Sequence, residues 1–118
     1  MAMQAESIFD CNGQDGKDNK ALYKSLPYPL RLVIKQTQQK IQQAVEINNP
    51  GRKIQPTSGL RAPATNARNG GKSNSLHLFG FARDFRYYDD EPQPFIVPDY
   101  LECIKSNNCW HVGYKRGI

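Results

Sequence analysis

Two histidines in 118 residues leave little room for chemistry that needs many imidazoles, and a centre built on three of them is excluded by count. The three cysteines, Cys11, Cys103 and Cys109, form no CxxC pair and no zinc-finger spacing, which removes the thiolate metal site. A bridge between Cys103 and Cys109 and a pair of reduced, half-buried thiols both stay open. Long apolar runs are also missing. Leu32-Val33-Ile34 and Phe95-Ile96-Val97 fall far short of the roughly 20 residues that span a bilayer, so no membrane crossing is expected. Gln4, Glu6 and Ser7 occupy the start, where a secretory signal would put a basic patch and then an apolar stretch. Any export is therefore expected to use another route.

What is present is one domain's length of chain with a basic balance: 16 Lys and Arg against 11 Asp and Glu, a net charge of +5. That charge suits an anionic partner, whether nucleic acid, cell wall or a phospholipid surface. Nucleic acid, through Arg52, Lys53, Arg61, Arg68 and Lys72, is the weaker reading, because no recognised nucleic-acid motif accompanies these residues. Residues 11–20 are turn formers and charges and read as an exposed loop, so residues 1–25 are expected to be a flexible lead-in to a single domain at 26–118. Asp10, Asp15 and Asp18 in that stretch lack the spacing of a calcium loop.

Beyond Pro29, residues Leu30, Val33, Ile34, Thr37, Ile41, Ala44 and Val45 recur at three- and four-residue steps and predict a helix ending at Asn48-Asn49-Pro50-Gly51. Residues 53–57 read as a short extended stretch. Residues 58–75 read as a long loop, functional or holding a short helix near 63–68. Over 80–88, Phe81, Arg83, Phe85 and Tyr87 alternate with Gly80, Ala82, Asp84 and Arg86, the pattern of a strand. A short helix or a turn of helix is expected to start at Pro98 and run to about 102. A last strand follows at 109–115, with Trp110, Val112 and Tyr114 on one face and Cys109, His111 and Gly113 on the other. The fold class expected is α+β, a small antiparallel sheet flanked by helices.

A hydrolytic zinc site needs three ligands of the His and carboxylate type and an open position for water. Both histidines plus one Asp or Glu would supply it. On their strand faces Asp84 lies between Ala82 and Arg86 and His111 between Cys109 and Gly113, so the small neighbours leave room for an ion, while the aromatics take the opposite faces. Histidines that are merely hydrogen bonded, and an Asp84 paired with an arginine, account for the same pattern.

The run Ser58-Gly59-Leu60-Arg61-Ala62-Pro63 with Asn66, then Gly70-Gly71, then Ser75-Leu76-His77-Leu78-Phe79-Gly80-Phe81-Ala82-Arg83-Asp84, adds a resemblance. It resembles, in order, the signature of the zinc D-alanyl-D-alanine carboxypeptidase and L-alanyl-D-glutamate endopeptidase family, with its hedgehog-type fold: SGxRxPxxN, GG, SxHxxGxAxD. Trp110-His111-Val112 looks like that family's last ligand. The resemblance implies one zinc ion on His77, Asp84 and His111. It also implies substrate contacts from Arg61 and Ser75, and hydrolysis of peptide bonds in bacterial peptidoglycan, in the periplasm or the extracellular wall. The expected partner is a peptidoglycan stem peptide, the expected state a monomer.

Two departures from the family pattern matter. Asn108 stands three residues before the last histidine, where many members carry the acid that deprotonates the attacking water, and Gly113 stands where they carry an aspartate. Glu102 is the candidate general base, with Asp89, Asp90 and Glu91 behind it. A zinc- and wall-binding module without turnover is the alternative.

Overall fold

The computed structural model describes residues 13–62, 66, 77, 80–106 and 108–115. Two helices, α1 (Gly13–Ser25) and α2 (Tyr28–Asn48), precede four strands: β1 (Pro56–Ser58), β2 (Ala82–Arg86), β3 (Leu101–Ser106) and β4 (Cys109–Tyr114). The strands form one antiparallel sheet in the order β1-β2-β4-β3, the α+β architecture expected.

Helix α2 is preceded by Pro27 at its N-cap and has Pro29 in its first turn, where the missing N–H would have no intrahelical partner anyway. Ile34, Gln38, Ile41, Ala44 and Val45 form its buried stripe. At its end Asn49 donates to Val45 O and Ile96 O (both 2.8 Å) and accepts from Ile96 N–H, which ties the helix terminus to the stretch before β3.

The register sorts side chains onto two faces. Phe85 lies opposite Trp110, and Arg83 and Cys103 both lie opposite Val112. This face packs under α2, where Ile41, Ala44 and Val45 join Phe85, Phe95, Leu101, Trp110 and Val112 in one core. Fully burying side chains of this size stabilises by about 1.5–3 kcal/mol each. Arg83, 1% exposed, is satisfied there by Gln38 and Gln42, and burial lowers its pKa to about 10. Gln38 also donates to Gly80 O (2.6 Å) and Ala82 O (3.0 Å), pinning the start of β2 to the helix.

Two local expectations are corrected. Residues 13–25 are helical rather than part of a flexible lead-in. Leu22, Tyr23 and Leu26 pack on the buried pair Ile34 and Leu60, and buried Asn19 accepts from Ala62 N–H at 2.7 Å. Tertiary contact thus overrides a locally turn-forming composition. The second correction concerns 98–102, where the Leu101 N–H to Pro98 O bond closes a single turn and β3 follows from Leu101. A full ladder from Leu101↔Tyr114 to Ser106↔Cys109 outweighs a one-turn helix. Of the two states open for Cys103 and Cys109, the structure shows the free, half-buried thiols, which stand on opposite faces of the hairpin. Cys11 lies outside the described residues.

Candidate metal centre

On the face away from α2, the register lines up Ser58, Asp84 and His111 across β1, β2 and β4, with Ile104 of β3 beyond. Ala82 and Gly113 stand opposite one another beside them, the small neighbours that the alternation predicted. His77 arrives from outside the sheet. Its carbonyl accepts from Arg61 N–H (2.9 Å) and Gly80 N–H (3.3 Å), so its backbone is locked to the stretch that follows β1. Gly80 turns the chain into β2 at φ +75, and a Cβ there would come within 2.9 Å of Ile34 Cγ2, which is why the position is glycine.

His77 is 1% exposed, and its Nδ1 lies 2.7 Å from Gly59 O. A carbonyl oxygen only accepts, so Nδ1 carries a proton and Nε2 faces inward. That Nε2 is 3.0 Å from Asp84 Oδ1 and 3.2 Å from His111 Nδ1, which is itself 3.1 Å from the same oxygen. The two rings meet edge to face at 73°. With a neutral His77, the edge between Nε2 and Oδ1 opposes lone pair to lone pair. A proton or a cation between them removes the conflict.

The donor set fits zinc. Ligands about 2.0–2.1 Å from a tetrahedral ion stand roughly 3.3 Å from one another, close to the triangle found here. His77, Asp84 and His111 are also the group of described residues able to hold an ion together. The His111 side chain is 18% exposed against 2% for His77, so the triangle is approached from the His111 side. Burial pushes the Asp84 carboxyl up, but bonds to His111 and His77 and the charges of His77 and Arg61 outweigh it and hold the group well below the usual carboxylate range.

Arg61 is turned inward. Its Nη2 donates to Asp84 Oδ2 at 2.7 Å and its Nε to Ser58 Oγ at 3.0 Å. Ser75 lies outside the described residues. Glu102 stands on β3 opposite Gly113, on the His111 face of the sheet, one diagonal step from that ligand. Asp90 and Glu91 are held elsewhere, by Lys53 and Arg52 at the β2–β3 connection, and Asp89 is exposed in the same turn. Asn108 is exposed at the β3–β4 connection. The motif had singled out Ser58 and Gly59 without giving them a task; the geometry makes them the supports of Arg61 and His77.

Two imidazoles and a carboxylate gathered on the open face of an antiparallel sheet make the donor set of mononuclear metallohydrolases. Agreeing with that, the peptidase M15 family matches residues 5–116, nearly the whole chain, and the chain belongs to this family, that of the zinc D-Ala-D-Ala carboxypeptidases. No curated protein and no solved structure matches it.

Proposed function

We propose that the protein is a zinc peptidase that hydrolyses peptide bonds of bacterial peptidoglycan, with His77, Asp84 and His111 as ligands and Glu102 as general base. The observation that carries this reading is the triangle of 3.0–3.2 Å contacts among His77 Nε2, Asp84 Oδ1 and His111 Nδ1. When bound, zinc supplies a Lewis acid that polarises a carbonyl and acidifies a water. The chain's own residues do the rest. His77 and Asp84 are held rigid by Gly59 and Arg61, so the donors are in place before substrate arrives.

Glu102 takes the proton of the attacking water and returns it to the leaving amine. In support, diagonal neighbours on adjoining strands are roughly 7–8 Å apart, which leaves space for one water between the carboxylate and the ligand atoms. Opposite Glu102, Gly113 carries no side chain to fill that space. Ser75 is expected to contact the substrate. The net charge of +5 suits an anionic wall, reached in the periplasm or outside the cell. The stem peptide is then the partner and a monomer the working form.

A second reading, a zinc- and wall-binding module without turnover, is favoured by Asn108, since an amide at that position takes up no proton. Zinc-loaded protein incubated with purified peptidoglycan separates the two. New amino groups are expected from wild type, with the rate reduced about 10²–10⁴-fold in Glu102→Gln at unchanged zinc content. Stoichiometric zinc with no release of amino groups by wild type would establish the binding module instead.

A further inference from the structure

The family resemblance gives Arg61 to the substrate, yet both of its observed side-chain bonds point into the protein. Nη2 donates to Asp84 Oδ2 at 2.7 Å, and the two side chains are 13% and 7% exposed. Nε donates to Ser58 Oγ, whose residue is itself paired in the register with Asp84. The Arg61 amide meanwhile donates to the carbonyl of His77, another donor of the same centre. One residue therefore braces two of the three donors, by side chain at Asp84 and by backbone at His77.

From this we infer that Arg61 is a positioning residue for the metal: by engaging Asp84 Oδ2 it leaves Oδ1 as the single carboxylate oxygen offered, enforcing one-oxygen ligation. The inference rests on the metal-centre reading above. A planar, permanently charged fork suits the task, because it fixes the rotation of the carboxylate as well as its charge. Without it, Asp84 is free to turn and present both oxygens. Ser58 keeps the guanidinium from swinging outward, and buried Asn19, bonded to Ala62 N–H at 2.7 Å, holds the next residue of the same stretch. Helix α1 thereby belongs to the support of the centre.

The test uses the metal alone. Full-length metal-free protein is titrated with zinc against a chromophoric chelator, and the visible spectrum of the cobalt-loaded protein is recorded. Arg61→Ala is expected to weaken zinc about 10–100-fold, the usual cost of removing a partner of a ligand. Arg61→Lys should recover part of that loss. In an Asp84→Ala background, Arg61→Ala should cost no further affinity, because the route through Asp84 is already gone. The cobalt spectrum of Arg61→Ala should lose intensity as the second oxygen joins the coordination sphere, a change that a merely structural role would not produce.

Zinc affinity and cobalt spectrum both unchanged in Arg61→Ala and Arg61→Lys, with KM for a stem peptide raised, would overturn the inference and return Arg61 to the substrate. Wild type that binds no zinc would remove the metal-centre reading, and this inference with it, whatever the variants do.

Discussion

The two faces of the same four strands obey different rules. Under α2, Phe85, Trp110 and Val112 are at most 4% exposed and pack tightly with Ile41 and Val45. On the other face the central positions are Ser58, Asp84 and His111, flanked by Ala82 and Gly113, and three donor atoms converge within 3.0–3.2 Å of one another. One face supplies folding energy, and the other is tolerated because of it. A strand period of two thus lets one ladder carry a core and a site with no insertion between them.

The largest expected effect breaks the core face. Phe85→Ala should cost about 3–5 kcal/mol, read as a lower urea midpoint with or without zinc. His77→Ala should instead leave the metal-free midpoint closer to wild type, since His77 lies outside the apolar core cluster. Zinc at a hundred times its Kd should add about 2.7 kcal/mol to wild type and nothing to His77→Ala. Equal losses for the two variants in metal-free protein would show that the faces are not separate in energy.

Ala82→Leu sharpens the comparison, because it forces bulk into the small-residue row beside Asp84. Destabilisation of about 1–3 kcal/mol, together with lost zinc binding in dialysis, is the expected outcome. Gly80→Ala is expected to cost about 1–2 kcal/mol for the left-handed backbone alone, with a further displacement of Ile34. Thermal unfolding measures it, and a variant as stable as wild type would mean that the turn into β2 is not under constraint.

The smallest effect belongs to the exposed pair Lys53–Asp90, 2.7 Å apart and remote from either face. The Lys53 hydrogen bond holds the Asp90 carboxyl below its ordinary 3.8. The depressed value makes its contribution present above that pH and lost as the pH falls through the lowered one. Asp90→Asn should leave the urea midpoint at pH 7 in high salt unchanged and alter only the acid limb below about pH 4. A clear loss at pH 7 would show that this turn matters more to the fold than solvent-exposed pairs do.

The legible part of the protein was what strand period and motif spacing encode. The alternation around Asp84 and His111 separated donors from aromatics correctly, and the α2 stripe ended at the predicted asparagine pair. Glu102 shows the limit. Read as helical, it falls opposite Tyr100 and Cys103, toward solvent; in the β3 ladder it shares the face of His111. A five-residue window holds no long-range hydrogen bonds, so its local pattern did not distinguish the two. Cys103 and Cys109, compatible with a bridge by spacing, are parted by the same ladder, and burial lifts the Cys109 thiol to about 12.

The inventory is written in the chain: which donors exist, how they are spaced, and which face of each strand they take, because side-chain alternation is a local property of extended backbone. Tertiary structure alone decided that the polar stretch at 13–25 becomes a helix and that Arg61 turns onto Asp84. Both depend on partners more than twenty residues away in the chain, Asn19 meeting Ala62 and Arg61 meeting Asp84, and such contacts become favourable only once the fold has met the entropic cost of bringing them together.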